Sequence, residues 1–172
     1  MTNQVLESRV LEYGLKPREM ANLSPENLLL LERLERFEAP YLKEKLLNDK
    51  KFEDESNYND AFTEFKKYVA LTKIWEGPLS MVSKEVDEVW HQFILFTAAY
   101  HKFCQENLGE YLHHQPKTSI TPLDPSGKSN FFKAYEVIFG SLPKIWKAKE
   151  NQSDDCTPSG WGPANCDNEQ DD

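Results

Sequence analysis

Apolar residues recur at alternating steps of four and three between positions 82 and 103, and this spacing constrains the fold more than any other feature. It is typical of a helix whose apolar stripe is buried between neighbouring helices. The stripe consists of Val82, Val86, Val89, Phe93, Phe96, Tyr100 and Phe103. Because polar and small residues occupy a second face, we expect one long helix at the centre of a bundle, ended by Gly109.

Further helices are predicted on both sides of this segment. A short helix is expected between Val5 and Tyr13, and Ser24 followed by Pro25 is typical of a helix start. Pro40 should split that second helix near Ala39, since proline lacks an amide hydrogen. Two more helices are predicted over residues 58–72 and 130–149.

These elements predict an all-α fold, a single-domain helical bundle of about five to six helices over residues 1–149. Proline-rich residues 111–130 should form an irregular connection. Residues 150–172 contain seven acidic and no basic side chains and should form a disordered, mobile tail.

Charge and hydropathy exclude several classes of function. The chain has 29 acidic and 20 basic residues, and without the tail the balance is nearly neutral. No basic patch is available to bind nucleic acid. No apolar run approaches the roughly 18 to 20 residues of a membrane span, and the first residues do not resemble a signal peptide, so we expect a cytoplasmic protein with reduced cysteines.

The chemistry-bearing residues are concentrated between positions 87 and 116, which include all four histidines and Cys104. A chain reversal at Gly109 would bring His113 or His114 back beside Cys104, with His101 one turn before it. Cysteine and histidine are zinc ligands, so Cys104, His113 and His114 are the candidate metal site. His91 and Cys104 would lie about 20 Å apart on a straight helix and could share an ion only if the helix broke near Thr97.

Each of these residues also has a structural interpretation. Cys104 lies near the apolar stripe and is expected in the core as a small hydrophobic residue. Asp87 and His91 are four residues apart and can form a polar pair that serves a buried network, a metal or catalysis. His113 and His114 could cap the preceding helix instead. Cys156 and Cys166 could form a disulfide or bind a soft metal, although neither role is expected.

The same segment resembles the glycine-rich-domain-containing-protein-like family of bacteria and plants. The resemblance rests on Asp87, Trp90-His91, Thr97, Tyr100, Phe103-Cys104, Gly109, His113-His114 and Pro116, in that order. It covers roughly residues 25 to 150 and implies a helical fold rather than a defined activity. Many members end in a tail rich in glycine and cysteine, whereas this chain has only Cys156 and Cys166 around a Gly-Trp-Gly.

The sequence supports two hypotheses of function. The first is a protein-interaction module that binds a protein partner through a groove, with the acidic tail as a tether. The second is a small metal-binding protein with zinc or iron at a His/Cys site within residues 87–114. The motifs of nucleotide-binding, hydrolase and zinc-protease sites that we sought are absent, so no catalytic residue and no oligomeric state is predicted.

Overall fold

The structure is a computed structural model that describes residues 14–116 and 122–147, together with the backbone of residues 156–158. Six α-helices occur within these residues: α1 (Pro25–Arg36), α2 (Pro40–Asn48), α3 (Glu55–Ile74), α4 (Lys84–Leu95), α5 (Thr97–Leu108) and α6 (Gly127–Ile138). Short 3-10 turns span Glu19–Ala21 and Lys144–Trp146. Strand β1 (His114–Pro116) pairs antiparallel with strand β2 (Cys156–Pro158). The predicted all-α class is confirmed, whereas the helix expected at Val5–Tyr13 and most of the predicted tail lie outside the described residues.

The helix starts follow the signals in the sequence. The Ser24 hydroxyl accepts a hydrogen bond from the Asn27 amide at 3.2 Å, and Pro25 is the first residue of α1. Pro40 begins α2 after a break at residues 37–39, which confirms the predicted split. A proline at the first helical position loses no hydrogen bond, so Pro40 starts a new helix at little cost.

Helix α3 occupies the centre of the bundle and packs against α1, α2, α4 and α6. Its Phe65 ring contacts Trp90 and Phe93 of α4, and its Tyr68 ring contacts Phe131 of α6. The expectation that the helix around residues 82–103 is the central one was therefore wrong. Helix α3 has 20 residues and buries side chains on several faces, which only a helix surrounded by neighbours can do.

The predicted long helix is broken into α4 and α5 at Phe96, whose backbone leaves the helical region at φ −82° and ψ 60°. The Phe93 and Phe103 rings lie 5.2 Å apart between centroids, although ten residues of a straight helix would separate their backbones by about 15 Å. The Phe96 ring packs against Tyr41 of α2. These contacts accompany the break, since the two halves of the apolar stripe pack against each other across it.

The last predicted helix is shorter than expected, since α6 ends at Ile138 and not at Lys149. Gly140 follows with φ 92°, a left-handed conformation that ends the helix. The chain then places Trp146 in a 3-10 turn, fully buried against α3.

Candidate metal centre

Asp87, His91 and His114 bring one carboxylate and two imidazole rings together beside α4. One ligand atom from each residue lies within 4.8 Å of the others. The carboxylate contacts both rings: Asp87 Oδ1 is 3.0 Å from His114 Nε2, and Asp87 Oδ2 is 3.4 Å from His91 Nδ1. We call this group the Asp-His-His cluster.

Helix α4 positions two members of the cluster. Asp87 and His91 are four residues apart, so their side chains lie on the same face of the helix one turn apart. The Ser83 hydroxyl caps α4 by accepting from the Val86 amide, and Asp87 lies in the first turn. The positive end of the helix dipole favours a carboxylate at that position.

Strand β1 supplies the third member through a chain reversal. Gly109 ends α5 with φ 77°, and the chain returns toward α4. The Tyr100 hydroxyl donates a hydrogen bond to the Leu112 carbonyl and holds the backbone two residues before His114. Burial raises the pKa of Tyr100, so its hydroxyl keeps the proton that it donates.

Trp90 forms the buried floor of the cluster. Its ring meets the His114 ring edge to face, with centroids 4.5 Å apart, and its Nε1 donates to the Tyr100 hydroxyl at 2.9 Å. One hydrogen-bonded chain therefore fixes both the tryptophan and the segment that carries His114. Such packing restricts the His114 ring to one orientation, as a metal ligand requires.

The geometry of the cluster is compatible with one bound cation. Two ligand atoms each about 2.1 Å from an ion lie about 3.0–3.4 Å apart at ordinary coordination angles. The contacts of Asp87 Oδ1 with His114 and of Asp87 Oδ2 with His91 fall in that range. The side chains of Asp87 and His114 are 8% and 6% exposed, whereas that of His91 is 50% exposed. The cluster is therefore held from the core and open to ions from the His91 side.

The structure does not bring Cys104 and His113 into this cluster. Cys104 is fully buried, and its thiol lies beside the Tyr100 hydroxyl and the Leu112 backbone. His113 is exposed, with its ring against Tyr111. Successive residues of an extended chain face opposite sides, so only His114 of the two adjacent histidines can reach α4. The candidate set Cys104, His113 and His114 is thus separated, whereas Asp87 and His91 meet as the helical spacing indicated.

Sequence reasoning missed the contact between His114 and Asp87. The reversal at Gly109 was predicted, but α5 folds back at Phe96, so the returning chain passes Cys104 at Leu112 and brings His114 to α4 rather than to the cysteine. The hydrogen bonds from Trp90 to Tyr100 and from Tyr100 to the Leu112 carbonyl were also missed. Nothing in the sequence indicates which acceptor a buried indole or phenol donor will find. The sequence analysis did note that His91 could join a shared site only if the helix broke near Thr97, and the helix does break at Phe96.

Fold and cluster together define an all-helical protein with a two-histidine, one-carboxylate group on the side of its bundle. The model of the UCP032817-like family matches residues 16–137, and the chain therefore belongs to this family. The family description names no activity. No curated protein and no solved structure matches the chain. None of the helices in the described part of the chain is long and apolar enough to cross a membrane.

Proposed function

We propose that this protein binds a divalent transition metal ion, zinc or ferrous iron, through Asp87, His91 and His114. The observation that carries the proposal is the convergence of three ligand atoms within 4.8 Å from two elements separated in sequence. Two imidazoles and one carboxylate form the donor set of many zinc and non-haem iron sites. Such a set leaves coordination positions free for a further ligand.

The surroundings of the cluster support ligation. The His114 ring is packed by Trp90 and the Asp87 carboxylate is nearly buried, so two ligands are already ordered before an ion arrives. Preordered ligands lose little side-chain entropy on binding. The two imidazole rings lie 4.3 Å apart between centroids, so His91 needs only a small adjustment to share an ion with His114.

A buried polar network is the structural alternative for the same residues. In that case Asp87 would serve only to accept a hydrogen bond from His114 and to fix β1 on the bundle. The alternative predicts a loss of stability on substitution but no metal affinity. Metal binding therefore separates the two interpretations.

The test is a zinc titration of the untagged full chain in competition with a chromophoric chelator. We expect one zinc per chain and a loss of affinity of at least about tenfold in His91→Ala and His114→Ala, because even partners outside the coordination sphere cost about that much. His101→Ala and His113→Ala are matched controls, since both histidines are exposed and lie outside the cluster. These controls should bind zinc like the parent.

Two results would contradict the proposal. One is a parent protein that takes up no zinc or ferrous iron while its circular dichroism shows a folded helical chain. The other is equal zinc affinity in the cluster variants and the control variants, which would place the ion elsewhere.

The protein-interaction module remains a prediction from the sequence. A surface groove of about 440 Å³ lies between α1, α3 and α5, with Leu30 and Leu108 among its lining residues. Its two basic residues are already engaged, since Arg33 donates to the Asn107 carbonyl and Lys73 pairs with Glu110. The groove therefore gives less support to a partner than the cluster gives to a metal.

A further inference from the structure

The strand that carries His114 pairs with a strand from the C-terminal segment of the chain. Among the residues that the structure describes, β1 and β2 form one two-stranded antiparallel sheet. The backbone of β2 lies beside all three residues of β1. The C-terminal segment therefore borders the Asp-His-His cluster through backbone pairing.

Two prolines determine how the strands can hydrogen-bond. The register pairs His114 with Pro158, Gln115 with Thr157, and Pro116 with the first residue of β2. In an antiparallel ladder, alternate pairs exchange two N–H···O bonds, and both residues of such a pair must donate. Proline has no amide hydrogen, so a pair that contains Pro116 or Pro158 cannot be of this kind. Gln115 and Thr157 are therefore the pair within this ladder that exchanges two hydrogen bonds.

A ladder of this length can open while the helices stay folded. An isolated pair of strands is only marginally stable in water. The helical bundle, in contrast, has an extensive core of buried aromatic and aliphatic side chains. The pairing of β2 with β1 is therefore reversible in the folded protein.

The backbone around His114 is held at two places. The Tyr100 hydroxyl donates to the Leu112 carbonyl two residues before His114, and β2 pairs with His114 itself and with the residues after it. The His114 imidazole lies 3.0 Å from the Asp87 carboxylate. When β2 separates from β1, the backbone that carries this imidazole gains freedom, and binding an ion then costs more conformational entropy.

We propose that β2 is a clasp on β1, and that its docking determines how tightly the Asp-His-His cluster retains a metal ion. This inference rests on the proposed function and adds the regulation of the same site. An extended segment that adds a strand to an exposed strand edge is a common mode of recognition, and here the occupant belongs to the same chain. Coupling between two binding events is reciprocal, so an ion bound by His114 also stabilises the pairing of β2 with β1.

Substitution of Thr157 tests the clasp in the full chain. Thr157→Pro removes the amide hydrogen that this residue donates to Gln115, whereas Thr157→Ala keeps it. We expect zinc affinity, measured by competition with a chromophoric chelator, to fall about two- to tenfold in Thr157→Pro. This is the factor that one backbone hydrogen bond contributes to an equilibrium. Thr157→Ala should bind zinc like the parent, and both variants should keep the helical circular dichroism of the parent.

Hydrogen exchange measures the reciprocal effect. Zinc should slow exchange of the Thr157 amide in the parent and leave it unchanged in His114→Ala. Zinc binding by the parent with equal affinity in Thr157→Pro, or with no change in exchange at Thr157, would overturn the clasp and leave the three-residue site intact. A loss of affinity in Thr157→Ala as large as that in Thr157→Pro would also overturn the clasp, since the backbone pairing would not be its cause. A folded parent that binds no zinc would overturn both the clasp and the proposed function.

Discussion

At the scale of single residues, Cys104 shows how burial decides the chemistry of a thiol. It lies on α5 with no exposed surface, and burial raises its pKa above the usual value. Only the thiolate is a good nucleophile or metal ligand. We therefore expect Cys104 to resist alkylation by iodoacetamide at pH 8 in the folded protein and to react fully in guanidinium, as measured by peptide mass spectrometry.

The control for this prediction is the Cys104→Ala variant, which should lose only the modified peptide that appears on unfolding. Rapid labelling of Cys104 in the folded protein, at the rate of a free cysteine, would contradict the buried environment. It would also reopen the sequence-based assignment of Cys104 as a metal ligand.

The residues of the cluster show what sequence spacing can and cannot predict. The pairing of Asp87 with His91 follows from the helical repeat, because residues four apart share a face. The contact between Asp87 and His114 joins residues 27 positions apart, and no repeat within one helix predicts it. That contact depends on the break at Phe96, where the sequence has neither glycine nor proline to indicate the end of a helix.

At the scale of elements, Glu64 joins α3 to α6 and to the 3-10 turn. Its buried carboxylate accepts hydrogen bonds from the Tyr135 hydroxyl and the Trp146 Nε1 and pairs with Lys67 at 2.8 Å. Glu64→Ala would leave two buried donors, the Tyr135 hydroxyl and the Trp146 Nε1, and the partly buried Lys67 ammonium without this acceptor. We expect it to lower the free energy of unfolding by about 3–5 kcal/mol.

Urea unfolding followed by circular dichroism measures this effect. Tyr135→Phe removes one of the three donors and should cost only about 1 kcal/mol. Glu136→Ala, an exposed neighbour on α6, should change stability little. A Glu64→Ala protein as stable as the parent would show that α6 and the turn are held by apolar packing alone.

The end of α5 tests the reversal that delivers His114. Gly109 has φ 77°, and a Cβ added there would meet nothing within 4 Å. Gly109→Ala should therefore destabilise the protein by about 1–2 kcal/mol through backbone conformation alone. Gly109→Asn should cost less, since asparagine tolerates the left-handed region.

Thermal unfolding of the two variants in parallel checks this order. Equal stability of Gly109→Ala and the parent, or a greater loss in Gly109→Asn than in Gly109→Ala, would contradict the left-handed turn. The reversal into β1 would then need another explanation.

At the scale of the whole molecule, the sequence predicted the class of fold more successfully than its arrangement. Caps such as Ser24 with Pro25 act locally, so the start of α1 and the split before Pro40 could be predicted. The centre of the bundle could not, because both α3 and the segment that forms α4 and α5 have extensive apolar faces. Which of the two segments lies at the centre depends on ring contacts such as Phe65 with Trp90, and these contacts form only in the folded chain.

The helical bundle and the two-stranded ladder each supply part of the Asp-His-His cluster. Helix α4 packs against the aromatic core and carries the nearly buried Asp87 and the half-exposed His91 on one face. Strand β1 brings His114 to them, and β2 joins the C-terminal segment to the same place.

The most direct measurement is anomalous diffraction at the zinc absorption edge from crystals of the zinc-loaded, untagged full chain. The account predicts a peak within about 2.0–2.2 Å of ring nitrogens of His91 and His114 and of a carboxylate oxygen of Asp87. A zinc-loaded crystal with no peak at these three residues, whether or not zinc occupies another position, would contradict it.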